Sequence, residues 1–75
     1  MSYEITKTVA VLSQYDDGST LELNLIRWFG RPEKYDLRRW ARMPNGDRVE
    51  LKGIKLSHRE IMLLRDVLNM INEGE

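Results

Sequence analysis

Between Thr20 and Lys52 the chain repeats one pattern three times. A short run alternates apolar with polar residues, and a turn signal closes it. Thr20 to Phe29 sets Leu21, Leu23 and Leu25 on one side and Glu22, Asn24, Ile26 and Trp28 on the other. Gly30-Arg31-Pro32-Glu33 breaks the run. Lys34 to Arg42 alternates again, with Tyr35 and Leu37 against Asp36, Arg38, Trp40 and Arg42, and ends at Pro44-Asn45-Gly46-Asp47. Arg48 to Lys52 follows with Val49 and Leu51 apolar. A period of two with Gly/Pro/Asn/Asp punctuation reads as half-buried antiparallel strands. Ile5 to Gln14, rich in β-branched residues, precedes them as a further strand, joined through Asp16-Asp17-Gly18-Ser19.

The period then changes. Ser57 and Glu60 have the spacing of a capping box, and Leu56 and Ile61 that of a hydrophobic staple. Ile61, Leu64, Leu68 and Ile71 recur at helical spacing, so a helix is expected over residues 58–72, with Gly74 as its stop. The expected fold is α+β: a four-stranded antiparallel sheet followed by one C-terminal helix, in a single domain over residues 1–75. At about 100° per residue, Ile61, Leu63, Leu64, Val67, Leu68, Met70 and Ile71 cover an arc of roughly 180°. A small sheet covers less than that. The excess, Leu63, Leu64, Val67, Leu68, Met70 and Ile71, is expected to form a homodimer interface.

Composition narrows the function. The 75 residues carry 12 Lys/Arg, 12 Asp/Glu and no Cys. A disulfide miniprotein and a multidomain enzyme are excluded. The longest early apolar run, Val9-Ala10-Val11-Leu12, is too short for a signal-peptide core, and nothing approaches the ~18 apolar residues of a membrane span. A cytoplasmic location is expected, with no membrane partner. The charge is unevenly spread: residues 27–59 hold ten cations against four anions, while residues 1–26 hold one cation against four anions. The basic block also contains Trp28, Phe29, Tyr35 and Trp40. Clustered cations with aromatics suit a polyanion that offers bases to stack on.

Parity places the site. If Leu23, Leu25, Leu37, Val49 and Leu51 face the helix, then Asn24, Trp28, Arg38, Trp40, Arg42, Arg48 and Lys52 share the opposite, solvent-facing side. No catalytic constellation competes with this reading. His58 is the only histidine and stands at the first helical position; Ser57 serves as a cap; no phosphate loop and no metal-ligand spacing occur. The expectation is therefore no enzyme, no cofactor and no metal.

Glu22-Leu23-Asn24, Trp28, Pro32 with Lys34-Tyr35-Asp36-Leu37-Arg38, Trp40, and Lys52-Gly53-Ile54 running into Leu56-Ser57 occur in an order that resembles the positive-cofactor-four family of transcriptional coactivators. The small bacterial YdbC-like branch is the nearer match. Pro44-Asn45-Gly46 also matches the Pro-x-Gly turn of the eukaryotic branch. The resemblance covers nearly the whole chain. It implies a β-β-β-β-α protomer with a curved sheet, a dimer through the helices, and binding of single-stranded nucleic acid with little sequence preference. Carried over by position, it assigns contacts to Trp28 (with Phe29 one residue away as the alternative), Arg38, Trp40 and Lys52. The eukaryotic branch has an aromatic where this chain has Ala41, so Trp40 would supply that contact from the other face.

Together these readings predict a non-enzymatic single-strand binder acting in transcription regulation or other DNA transactions. Trp28 and Trp40 would stack on bases, and Arg27, Arg31, Lys34, Arg38, Arg42 and Lys52 would track phosphates. The alternative is a protein-interaction module whose basic face binds an acidic partner. A duplex reader fits less well, because helix 58–72 carries only Arg59 and Arg65 as cations.

Overall fold

The computed structural model describes residues 3–71. Four strands, β1 (Tyr3–Gln14), β2 (Thr20–Trp28), β3 (Lys34–Arg42) and β4 (Arg48–Leu56), precede one helix, α1 (His58–Leu68). The strands form an antiparallel sheet in the order β1-β2-β3-β4. This is the expected fold class.

Local chemistry explains the connections. In the first turn the Asp17 carboxylate accepts from the Ser19 amide at 2.8 Å and from its hydroxyl at 2.6 Å. In the third, Asn45 Oδ1 accepts from the Asp47 amide at 2.9 Å. Helix α1 starts with the full capping box: the Glu60 amide donates to Ser57 Oγ at 3.1 Å, and the Ser57 amide donates to Glu60 Oε1 at 2.8 Å.

Four boundaries differ from the sequence reading, one of them by a single residue: β2 ends at Trp28 rather than Phe29. β1 begins at Tyr3 rather than Ile5. β4 runs on to Leu56 rather than stopping at Lys52. The helix ends at Leu68, four residues short of 72. There Asn69 caps it, and Met70 and Ile71 donate to Val67 and Leu68 carbonyls three residues back. Gly74, the expected stop, lies outside the described residues.

Curvature decides where the core sits. β1 spends twelve residues where β2 spends nine, and its register slips at Ile5/Lys7, Thr8/Ala10 and Val11/Ser13. Each bulge bends and twists the strand, and the sheet curls away from the helix. The concave face then closes on itself. Ile26 and Trp40, together with Glu22, Asn24 and Asp36, are the buried side chains, and all five lie on the face opposite α1. The leucine face is less well covered. Leu23, Leu25 and Leu37 are half-buried, Val49 and Leu51 are exposed, and no residue of α1 is buried. The expected division is thus reversed: the bare face is the core, and the leucine face is the open one.

Candidate nucleic-acid interface

The concave face holds a pile of rings and cations. Trp28 lies opposite Tyr3 across β1–β2, while Trp40 lies at the other end of β2, opposite Thr20. The curl brings both indoles onto one ring, with Tyr3 at 5.1 Å from Trp28 and 5.8 Å from Trp40 between centroids. Lys55 Nζ stands 4.2 Å over Trp28, with the Arg38 guanidinium 5.3 Å from the same ring. The Arg48 guanidinium stands 4.8 Å over Trp40.

Trp40 is 1% exposed. A base cannot stack on it as it stands, which corrects the expectation of two solvent-facing indoles. Curvature, invisible in alternation, is the reason. Trp28 is half-buried among Tyr3, Arg38 and Lys55.

Arg38 is corrected as well. Its Nε and Nη2 donate to the Asp36 carboxylate at 2.7 and 2.8 Å, and its Nη1 donates to the Leu51 carbonyl at 3.1 Å. Its side chain is 12% exposed. This is a bidentate pair whose buried acid requires the cation, and the hydrogen bonds to Asp36 push the Arg38 pKa up. The residue is a strut between β3 and β4, with its guanidinium committed to Asp36 and the Leu51 carbonyl rather than turned to solvent. Glu22 is handled similarly. Burial alone would raise its pKa, but hydrogen bonds from Thr20, Arg48 and Asn24 outweigh burial and hold the carboxyl below its ordinary 4.5. Arg48 reaches it at 2.8 Å.

Gly53 explains the strut and a further displacement. Trp40 pairs with Glu50 and Arg38 with Gly53, so β4 carries one extra residue against Arg39. A Cβ on Gly53 would collide with the Cβ of Arg38. Beyond this bulge the alternation restarts, and Lys55 rather than Lys52 joins Arg48 on the indole face. Lys52 is exposed within the bulge. Sequence reading missed Lys55; the signal was a glycine inside a strand, which marks a bulge or a close approach.

The exposed chemistry gathers at the β2–β3 tip. The Arg31 amide donates to the Trp28 carbonyl at 2.9 Å, closing a two-residue turn. Phe29 and Gly30 occupy its centre with φ of 53° and 73°. This is the type I′ geometry that normally takes Asn-Gly. A phenylalanine in the left-handed region is strained, and Phe29 is nevertheless 67% exposed. Around it Trp28, Arg31, Pro32, Lys34 and Lys55 line a pocket of about 100 Å³. Among the described residues, Arg31, Lys34 and Lys55 make no ion pair.

The other expected contacts are scattered. Arg27 donates to Glu4 at 3.2 Å in an exposed pair. Arg42 lies at the far end of the sheet, where its side chain covers Gly18. Nearby, Arg39 sits 4.7 Å over the Tyr15 ring. The structure therefore brings Trp28, Arg31 and Lys34 together at the tip, separates Arg42 and Lys52 from them, and buries Trp40 on the other side of Tyr3 from Trp28.

On the leucine face, Leu63, Leu64, Val67, Leu68, Met70 and Ile71 are all exposed, Met70 at 81%. Leu12, Leu23, Leu37, Leu56, Ile61 and Leu64 line an apolar groove of about 390 Å³ beneath α1. Among the described residues no group of three His, Asp or Glu side chains is placed to hold a metal, and no helix is long and apolar enough to cross a membrane.

These features define a class: a β-β-β-β-α protein with a curved open sheet, a polar-aromatic concave core and an uncovered apolar helix face. No family model matches the chain. It is 44% identical over 70 residues to an uncharacterized protein of Treponema pallidum (strain Nichols), covering 93% of this chain and 79% of that protein, and it belongs to the same family.

Proposed function

We propose that the protein binds single-stranded nucleic acid without catalysing a reaction, and that the β2–β3 tip is its primary contact. The observation that carries this reading is Phe29. An exposed aromatic held in a strained backbone conformation, beside three cations that make no ion pair among the described residues, is costly for folding alone. Base faces are available in single strands and hidden in duplexes, so Phe29 would select unpaired strands, each stack contributing about 1–3 kcal/mol. Arg31, Lys34 and Lys55 would neutralise the flanking phosphates. The resemblance to the positive-cofactor-four family points the same way, toward transcription regulation or other DNA transactions in the cytoplasm, with no cofactor.

The helix face supports a homodimer. Its six exposed apolar side chains and the groove beneath them carry little charge, and Arg65 is already paired with Asp66 on the same helix at 3.1 Å. A second copy offers the same self-complementary stripe, the isologous arrangement of a two-fold dimer. Two hairpin tips per dimer would raise avidity on a strand long enough to reach both.

The test compares a labelled deoxythymidine oligomer with a blunt duplex and with polyphosphate of matched charge, by fluorescence anisotropy at equal salt. The oligomer should bind tightest, with a log–log salt slope of about −0.7 per phosphate neutralised. Duplex binding of equal or greater strength would refute strand selection. Polyphosphate binding of equal strength would favour a basic face for acidic partners.

A further inference from the structure

We infer that the pocket at the hairpin tip takes the terminal phosphomonoester of a single strand, with the end base on Phe29. The inference rests on the single-strand reading above. Arg31, Lys34 and Lys55 border one pocket of about 100 Å³, walled also by Trp28, Phe29 and Pro32. Among the described residues none of the three cations makes an ion pair. Separate segments bring them there. Arg31 follows the two-residue turn, Lys34 opens β3, and Pro32 fixes a backbone angle between them. The bulge at Gly53 turns Lys55 toward the tip, its Nζ 4.2 Å over the Trp28 ring. Glu33 is the one acid in this connection, and it does not line the pocket. Its carboxylate accepts from the Thr6 hydroxyl on β1 instead. Three like charges therefore border one space that no acid lines, and an anion there relieves their repulsion.

Size and charge select the anion. The pocket is well below the roughly 300–1,000 Å³ of a small-molecule cleft, so it has room for one compact group. Cations that follow a strand are spread along a groove; these three are gathered at one point. An internal phosphodiester offers them one negative charge. A terminal monoester carries about −1.5 to −2 at pH 7 and three strong acceptor oxygens, which suits three cationic donors. The ring points to a strand end as well. Phe29 is 67% exposed at the centre of the turn. An internal base must leave two stacked neighbours to lie on such a ring, whereas an end base already has one bare face.

Three deoxythymidine oligomers of equal length, labelled internally, test the inference. One carries a 5′-phosphate, one a 3′-phosphate, and one hydroxyls at both ends. A phosphorylated end should bind about 10- to 150-fold more tightly than the hydroxyl oligomer, the worth of a hydrogen bond to a charged group. The arm that does so identifies the end. Lys55→Gln should bring this ratio close to one. Lys52→Gln removes the same charge from the same strand outside the pocket, and should leave the ratio as it is in the wild type. Both lysines are exposed, so neither change removes a buried contact. Three equal affinities overturn the inference and leave the single-strand reading standing. A ratio that survives Lys55→Gln, or falls equally with Lys52→Gln, overturns it too. Wild-type protein that binds none of the three oligomers overturns the single-strand reading itself.

Discussion

Replacing Phe29 with asparagine should stabilise the fold and weaken strand binding in the same molecule. A left-handed backbone costs an L-residue about 1–2 kcal/mol, and Asn tolerates it best after Gly. Against this gain stands the packing of the ring. Phe29 is 67% exposed, so roughly a third of the ~1.5–3 kcal/mol for full burial is at stake, about 0.5–1 kcal/mol. The net is a gain of about 0.5 kcal/mol, which in a domain of this size raises Tm by about 2–4 °C. Affinity should fall by the 1–3 kcal/mol of one stack, about 5- to 150-fold. The salt slope should stay as it was, because no charge is removed. Thermal denaturation followed by circular dichroism, and anisotropy across a salt series, read the three quantities. A fall in Tm would mean that Phe29 holds the hairpin together. A higher Tm with unchanged affinity would mean that the strain has no part in binding, and the proposed site would fail.

Gly53→Ala should cost about 1–3 kcal/mol in urea denaturation, because its Cβ must displace the backbone or side chain of Arg38; a neutral result would show that the strands can part there. The Glu22 carboxyl, held below 4.5 in the folded state, contributes stability that is fully present above about pH 4.5 and is lost as pH falls through the folded value. Glu22→Gln should therefore flatten the fall of urea midpoint below that pH, and an unchanged slope would remove Glu22 from acid unfolding. Leu68→Glu should convert the proposed dimer into a folded monomer in sedimentation equilibrium, and a wild type already monomeric at micromolar concentration would refute the helix interface.

Much of the fold is legible because its signals are local. The turns at Asp16–Ser19 and Pro44–Asp47 and the Ser57–Glu60 box are each determined by a few side chains bonding their own backbone. Strand parity on β2 and β3 is equally local, and it puts Glu22, Asn24, Ile26, Asp36, Arg38 and Trp40 on one face as expected. Bulges are where this reasoning stops. The extra residue near Gly53 moves Lys55 into line and Lys52 out of it. The three slips in β1 curl the sheet until the face assigned to solvent closes over Trp40. Phe29 was legible only as a neighbour of Trp28; its importance comes from a positive φ that residue order does not announce.

The reversal of faces links the two halves of the proposal. A single small sheet can fill only one of its sides well, and this one fills the concave side with two acids, two arginines, an asparagine and three rings. In such a core each buried acid needs its cation. It seats Trp28, at the base of the hairpin tip, against Tyr3, Arg38 and Lys55. Leu23, Leu37, Leu56 and the helix stripe are then left with too little cover. A second copy would supply that cover without using the residues of the tip, since the residues lining the groove and those lining the tip pocket do not overlap. Strand binding and self-association therefore compete for no residue, so Leu68→Glu should reduce avidity on long oligomers while leaving the affinity of one tip for a short oligomer intact.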